Sequence, residues 1–179
     1  MHHQIKVKIA DLAAQYGRQV FHSAYRLLSD IQMAEDVTQD VFLKLFNKPT
    51  EAFDNITHWP GYLKSMAIST AIDQLRRNKR LAEEPIETTS QSPSHTNDQP
   101  LQTLLCERDL FAFKAALLRL TTQDAQIFCL RHIEGYTYQE IADLLSISSS
   151  LVGVALHRAQ IKLSSYLGES QFLGERHAI

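Results

Sequence analysis

Apolar residues recur along this chain at helical spacing, and almost nowhere with the alternation of a strand. Ile9, Leu12, Ala13, Tyr16, Val20, Ala24 and Leu27 trace one stripe and predict a first helix over roughly 5–28. Ser29-Asp30 interrupts the stripe, and a second helix runs from about Met33 to Phe46 with Ala34, Val37, Val41 and Leu45 inward. Asn47-Lys48-Pro49 closes it, since a proline ring disfavours helical geometry in the residue before it. A loop with Phe53, Asp54, Asn55 and Ile56 follows. Pro60 fits the first turn of a third helix, where a missing amide costs nothing. That helix carries Leu63, Met66, Ala67, Thr70 and Ile72 and ends in Arg76-Arg77-Asn78-Lys79-Arg80. Further on, Leu104, Leu105, Leu117 and Leu118 predict a helix near 101–119. Thr121 or Thr122 caps the next one, in which Ala125, Phe128 and Leu130 face inward and which Gly135 ends in a left-handed cap.

Residues 137–158, TYQEIADLLSISSSLVGVALHR, predict two short helices joined by a tight turn. Thr137 and Glu140 make a T-x-x-E capping box, in which hydroxyl and carboxylate each satisfy the other's amide. Ile141, Ala142, Leu144 and Leu145 supply the apolar face. Ser146-Ile147-Ser148 breaks the pattern, and Ser148 is placed to cap a second helix with Val152, Leu156, Ala159 and Leu163 on its buried side. This is the outline of a helix-turn-helix, whose second helix enters the major groove of DNA. An ordinary helical hairpin has the same outline.

Composition adds a division. Residues 83–100, EEPIETTSQSPSHTNDQP, hold three prolines, four acids and a single large aliphatic, too little apolar surface to offset the entropy of ordering. The expected architecture is therefore all-α: two small helical domains, 1–82 and 101–168, joined by a flexible acidic linker at 83–100, with a tail at 169–179. The formal net charge of −2 conceals an asymmetry, with +3 on residues 1–82, −4 on the linker and −1 on the remainder. Affinity for DNA scales with the phosphates neutralised, so a general polyanion binder is excluded and any nucleic-acid contact is local or assisted. No run approaches the length of a membrane span, and the amphipathic N-terminus lacks the apolar core of a signal peptide; no stable membrane insertion is expected and a cytoplasmic location is. Cys106 and Cys129 form no Cys-x-x-Cys pair and complete no metal spacing with His95 or His132, and they read as small buried hydrophobes.

Three groups of residues carry candidate chemistry. Arg76, Arg77, Lys79 and Arg80 either compensate a helix dipole or hold phosphates. With Phe53 and Trp59 nearby, they suit a single strand whose bases stack on rings, although each ring alone fits plain core equally well. Asp36, Gln39, Asp40 and Leu43 share one exposed stripe of the second helix. It is either a solvated face or a docking surface for an arginine-rich helix; no matching acid or histidine completes a metal site. The recognition helix presents Ser149, Ser150, Gly153, Val154, His157 and Arg158, a small-residue surface with few of the bidentate side chains that discriminate bases. No catalytic residue, metal or cofactor is expected.

These motifs together resemble a bacterial sigma factor of the extracytoplasmic-function (group IV) type. YRLLSDIQMAEDVTQDVFLKLF (25–46), with its AED-x-x-QD core, is similar to the first part of region 2. WPGYLKSMAISTAIDQLRRNKR (59–80), ending in D-x-L-R-R, is similar to its second part. LTTQDAQIFCLRHIEGYTYQEIADLLSISSSLVGVALHRAQIKL (120–163), with EG-x-T-Y-x-EIA, is similar to region 4. The resemblance implies a non-enzymatic specificity subunit. Its region 2 docks on the β′ clamp of core RNA polymerase through Asp36, Gln39, Asp40 and Phe42. It also opens the −10 element of promoter DNA with Phe53, Asp54, Asn55, Trp59, Ile68, Ser69 and Asp73, while Arg76, Arg77 and Arg80 hold phosphates. Region 4 sits on the β flap and reads the −35 element through Ser149, Ser150, Gly153, His157 and Arg158. The acidic linker lies by the RNA exit path, and an anti-sigma factor is the further partner implied.

Two departures qualify the carry-over. Ala67-Ile68-Ser69 stands where many relatives have Ala-Arg-Asn, which leaves base preference at −10 open. Gly153, Ala155 and Gln160 stand at three usually basic positions, which implies weak −35 binding and dependence on the polymerase. A free-standing helix-turn-helix regulator, which leaves the AED-x-x-QD stripe unexplained, and a degenerate sigma-like protein acting by protein contacts are the alternatives. An enzyme is the weakest reading.

Overall fold

Each break in the apolar pattern becomes a helix end. The computed structural model describes the backbone of residues 2–83 and 101–167 and the side chains of 6–83 and 109–167. The expected tail and all but the first residue of the expected linker lie outside the described residues. The helices are α1 (His2–Leu28), α2 (Ile31–Phe46), α3 (Trp59–Glu83), α4 (Leu101–Leu117), α5 (Thr122–His132), α6 (Tyr138–Leu145) and α7 (Ser149–Leu167), with a 3-10 turn at Thr50–Phe53. No strand occurs among the described residues, and no single helix there is long and apolar enough to cross a membrane.

Local chemistry explains the punctuation. Ser29 leaves α1 in the left-handed region (φ 50°), and Asp30 then caps α2 by accepting the Met33 amide at 2.8 Å. His58 caps α3 by accepting the Gly61 amide at 3.1 Å, with Pro60 in the first turn as its geometry allows. Thr121 rather than Thr122 caps α5, accepting the Asp124 amide at 3.1 Å. Gly135 adopts φ 79°, but α5 has already ended at His132, so the glycine turns the connection rather than the helix. α3 runs past Arg80 because Leu81 and Ala82 favour helix and Lys79 pairs with Glu83 at 3.7 Å.

Helices α1, α2 and α3 form one bundle, and α4 to α7 form a second. Leu12, Val20, Leu27, Val37, Val41, Leu45, Leu63 and Ile72 fill the first core. Each such side chain fully withdrawn from water contributes about 1.5–3 kcal/mol. The second core is built from Leu117, Phe128, Leu130, Ile141, Val152, Leu156 and Leu163. The bundles meet where α3 packs on α5. That contact explains a feature the single-face pattern did not predict: Ile127 and Cys129 are as buried as Phe128 and Leu130, since α5 is covered on both sides.

Candidate functional site

On α2, burial of Ala34, Val37, Val41 and Leu45 turns the opposite face outward. Asp36 and Gln39 are exposed, Asp40 and Phe42 half-buried, and Leu43 and Phe46 exposed beside them. No salt bridge among the described residues engages Asp36 or Asp40, and the acidic stripe has an apolar margin in Leu43 and Phe46.

The expected base-contacting group divides. Phe53 is buried (5% exposed) and packs on half-buried Trp59 with ring centroids 5.7 Å apart. Lys8 places its ammonium 5.2 Å from the Trp59 ring and 5.7 Å from Phe53, a cation–π contact from α1 that no local sequence signal announced. Asp54 and Asn55 are exposed on the loop between them. On α3, Ile68 is fully buried, Ser69 is half-buried and donates to the Met66 carbonyl at 3.0 Å, and Asp73 is exposed. Arg77, Lys79 and Arg80 stand exposed one turn further on. Arg76 does not join them. Its Nη2 donates to the Leu120 carbonyl at 2.9 Å, in the turn before α5, and its Nη1 to the hydroxyl of Thr122, the first residue of α5.

In the second bundle the capping box forms as the spacing requires. The Thr137 amide donates to Glu140 Oε2 at 2.7 Å, and the Glu140 amide to Thr137 Oγ1 at 3.2 Å. Those bonds from the Thr137 amide and hydroxyl hold the Glu140 carboxyl below the usual carboxylate range. Ser146 ends α6 at φ 55°, and Ser148 accepts the Leu151 amide at 3.2 Å to start α7. The two helices turn by 108°, within the range of a DNA-reading helix-turn-helix. Ser149, Ser150 and His157 are exposed on α7, Gly153 is half-buried, and Val154 (52%) and Ile161 (55%) add exposed apolar groups.

Two acids that the sequence left unassigned organise these parts. Asp124, on α5, accepts from Arg158 Nη2 at 2.7 Å; this bond and the adjacent negative charge raise the Arg158 pKa above its ordinary value. Glu134, just past α5, buries its side chain beside Lys64 (3.2 Å) and Arg26 (3.6 Å). Burial, then the Glu134 charge, pushes the Cys129 thiol up to about 12 and the Tyr136 phenol upward. Among the described residues no group of three or more His, Cys, Asp or Glu is placed to hold a metal ion.

Comparison with known proteins covers both bundles. A family model described as Sigma-70 region 2 matches residues 12–81, and one described as Sigma-70, region 4 matches residues 110–163. The chain is 29% identical over 163 residues to the RNA polymerase sigma factor YlaC of Bacillus subtilis, covering 91% of this chain and 94% of that one. It is 27% identical over 159 residues to the ECF RNA polymerase sigma factor SigE of Mycolicibacterium smegmatis, covering 89% of this chain and 61% of that protein. Its fold is shared with the sigma factor RpoE of Bartonella quintana, solved in complex with the anti-sigma factor NepR. The TM-score is 0.50 and the identity 20%, over 92% of this chain and 99% of that one.

Proposed function

The chain belongs to the sigma-70 family, in its extracytoplasmic-function branch, and on that premise we propose that it is a specificity subunit recruiting core RNA polymerase to promoters. Residues 1–82 act as the region 2 domain and 101–168 as the region 4 domain, with 83–100 as the link. The observation that carries this reading is the coexistence of an unpaired carboxylate stripe on α2 with a helix-turn-helix on the same chain. A free-standing regulator has use only for the second.

In this reading Asp36, Gln39, Asp40 and Phe42 meet the β′ clamp, where carboxylates pair with guanidinium groups. Asp54, Asn55, Trp59, Ser69 and Asp73 take an extruded −10 base, and Arg76, Arg77 and Arg80 take phosphates. Phe53 acts from beneath, supporting Trp59. Ser149, Ser150, Gly153, His157 and Arg158 face the −35 element, against the β flap. The protein performs no catalysis of its own, works in the cytoplasm, and is held in check by an anti-sigma factor. The exposed surface of α7 is poor in charge, and affinity for promoters comes mainly from the assembled holoenzyme. Run-off transcription on a genomic promoter library with purified core polymerase tests the reading. Specific starts that vanish with Asp40→Arg or with Arg76→Ala/Arg77→Ala support it, and a chain that does not associate with core polymerase overturns it.

A further inference from the structure

Arg77 and Arg80, the exposed arginines assigned to phosphates, stand near the C-terminal end of α3. Tyr62, Met66, Ser69, Asp73 and Arg77 recur at helical spacing and share one face of that helix, and none of the five is buried. The face runs back to Trp59, about 27 Å from Arg77 at the helical rise per residue. A strand lying along it is held by cations at one end only, unless the other end supplies its own.

That other end brings rings and lysines together. Trp59 stands between Phe53, with centroids 5.7 Å apart, and Tyr62, edge-on at 6.1 Å. Lys8 of α1 holds its ammonium 5.2 Å from the Trp59 ring and 5.7 Å from Phe53. Lys6, also of α1, lies 5.6 Å from the Phe46 ring at the end of α2, and Lys48 donates to the Tyr62 hydroxyl from 4.7 Å above its ring centre. Four cation–π contacts thus gather at one end of one bundle, against roughly one per 70–80 residues in folded proteins.

These lysines have no acid to answer. No salt bridge among the described residues engages Lys6, Lys8 or Lys48, and Glu51 and Asp54 on the adjoining loop are exposed and pair with none of them. Dipole compensation does not explain Lys8. Trp59 is the first residue of α3, and a cation at a helix N-terminus opposes the macrodipole instead of offsetting it. The partner that relieves this charge is an anion, and the rings narrow its kind. A duplex stacks its bases inside, whereas a single strand offers phosphates and base faces together, the combination that lysines interleaved with aromatics take up.

We propose that α1 supplies the second anchor of the strand track: Lys6 and Lys8 hold phosphates of single-stranded DNA while a base stacks on Trp59. The anchor rests on the functional reading for its place at a promoter, but not for binding itself. Every base has a π face, so this end adds affinity without base preference.

Trp59 is the single tryptophan of the chain, and its fluorescence reports this end alone. The full chain is titrated with oligo(dT) of about 12 nucleotides, within the site sizes usual for such surfaces. Three forms are compared: wild type, Lys6→Gln/Lys8→Gln and Lys6→Arg/Lys8→Arg. Both lysines are exposed, and circular dichroism confirms that each form is folded. The oligonucleotide is expected to quench Trp59 in the wild-type and arginine forms. In the glutamine form the slope of log K against log salt is expected to fall by about 1.4, two phosphates' worth on a single strand, or about 25-fold in affinity per tenfold change of salt. Inorganic polyphosphate, which has the charge and no bases, is expected to compete without quenching. An unchanged slope in the folded glutamine form overturns the anchor, as does a glutamine form that loses only its association with core polymerase. Equal quenching by polyphosphate overturns the stacking. A chain that binds oligo(dT) through these lysines yet never associates with core polymerase keeps the anchor and sinks the functional reading; promoter-specific transcription by a wild-type chain whose Trp59 is never quenched does the reverse.

Discussion

Arg158 Nη2 sits 2.7 Å from Asp124 Oδ1, joining the middle of the recognition helix to the first turn of the helix beneath it. The carboxylate is 1% exposed and the guanidinium 48%, so one side of the fork is committed to protein while the rest faces solvent. Removing the cation leaves a buried charge unmet. Arg158→Ala is therefore expected to lower the melting temperature of the full chain by several degrees before any DNA is added. Arg158→Lys recovers only part, because a point ammonium does not reproduce the planar fork. Adding Asp124→Asn to Arg158→Ala recovers most of the loss. Thermal melts followed by circular dichroism decide it; an additive double variant refutes the coupling.

The capping box gives a pH dependence of known sign. Glu140 has its carboxyl depressed by the Thr137 amide and hydroxyl. A group whose pKa is lower folded than unfolded stabilises at pH above the unfolded value, and that contribution disappears as pH falls through the folded value. Melting temperature recorded downward from neutral pH should fall in the acid range, and Glu140→Gln should flatten that limb. Thr137→Ala removes the cap and costs about 1 kcal/mol at neutral pH.

Cys129 should be chemically silent. Its thiol, pushed up to about 12 by burial and then by Glu134, carries almost no thiolate at pH 8. In a Cys106→Ala background, which removes the thiol whose side chain lies outside the described residues, iodoacetamide should leave the native chain unmodified over hours. Unfolding in guanidinium should restore ordinary alkylation. Mass spectrometry reads both, and rapid labelling of the folded chain contradicts the burial.

Helix ends were legible where caps are local: Thr137 and Ser148 bond to amides three residues away, and Asp30, read only as a break in the stripe, caps α2 in the same way. The outward stripe of α2 and the turn before α7 followed from the same short-range periodicity. What the sequence withheld depends on long-range packing. Arg26 and Ile133 are 107 positions apart, and nothing near either marks the other as its partner. The burial of Ile127 and Cys129 needs α3 against α5, which a one-face stripe does not encode. Arg76 illustrates the consequence for the site. Its neighbours in sequence place it in a basic cluster, and only the fold reveals that it alone of Arg76, Arg77 and Arg80 turns to Leu120 and Thr122.

Gly153 offers the sharpest test of what α7 faces. A Cβ built there meets only the Tyr138 ring, at 3.7 Å, an ordinary contact, and its φ is not in the left-handed region, so a larger residue is admitted. Gly153→Ala should stabilise the helix by about 1 kcal/mol and leave DNA affinity unchanged. Gly153→Lys should add a cation to a surface where Ser150, Val154, His157 and Ile161 offer no fixed positive charge. If that surface meets a phosphate backbone, −35 affinity rises and the slope of log K against log salt steepens by about 0.9, one phosphate's worth of counterion release. Promoter binding by the isolated chain, titrated across salt, measures both terms. An unchanged slope in a folded Gly153→Lys chain means that α7 does not lie along DNA there, and the −35 assignment of Ser149, Ser150 and His157 falls with it.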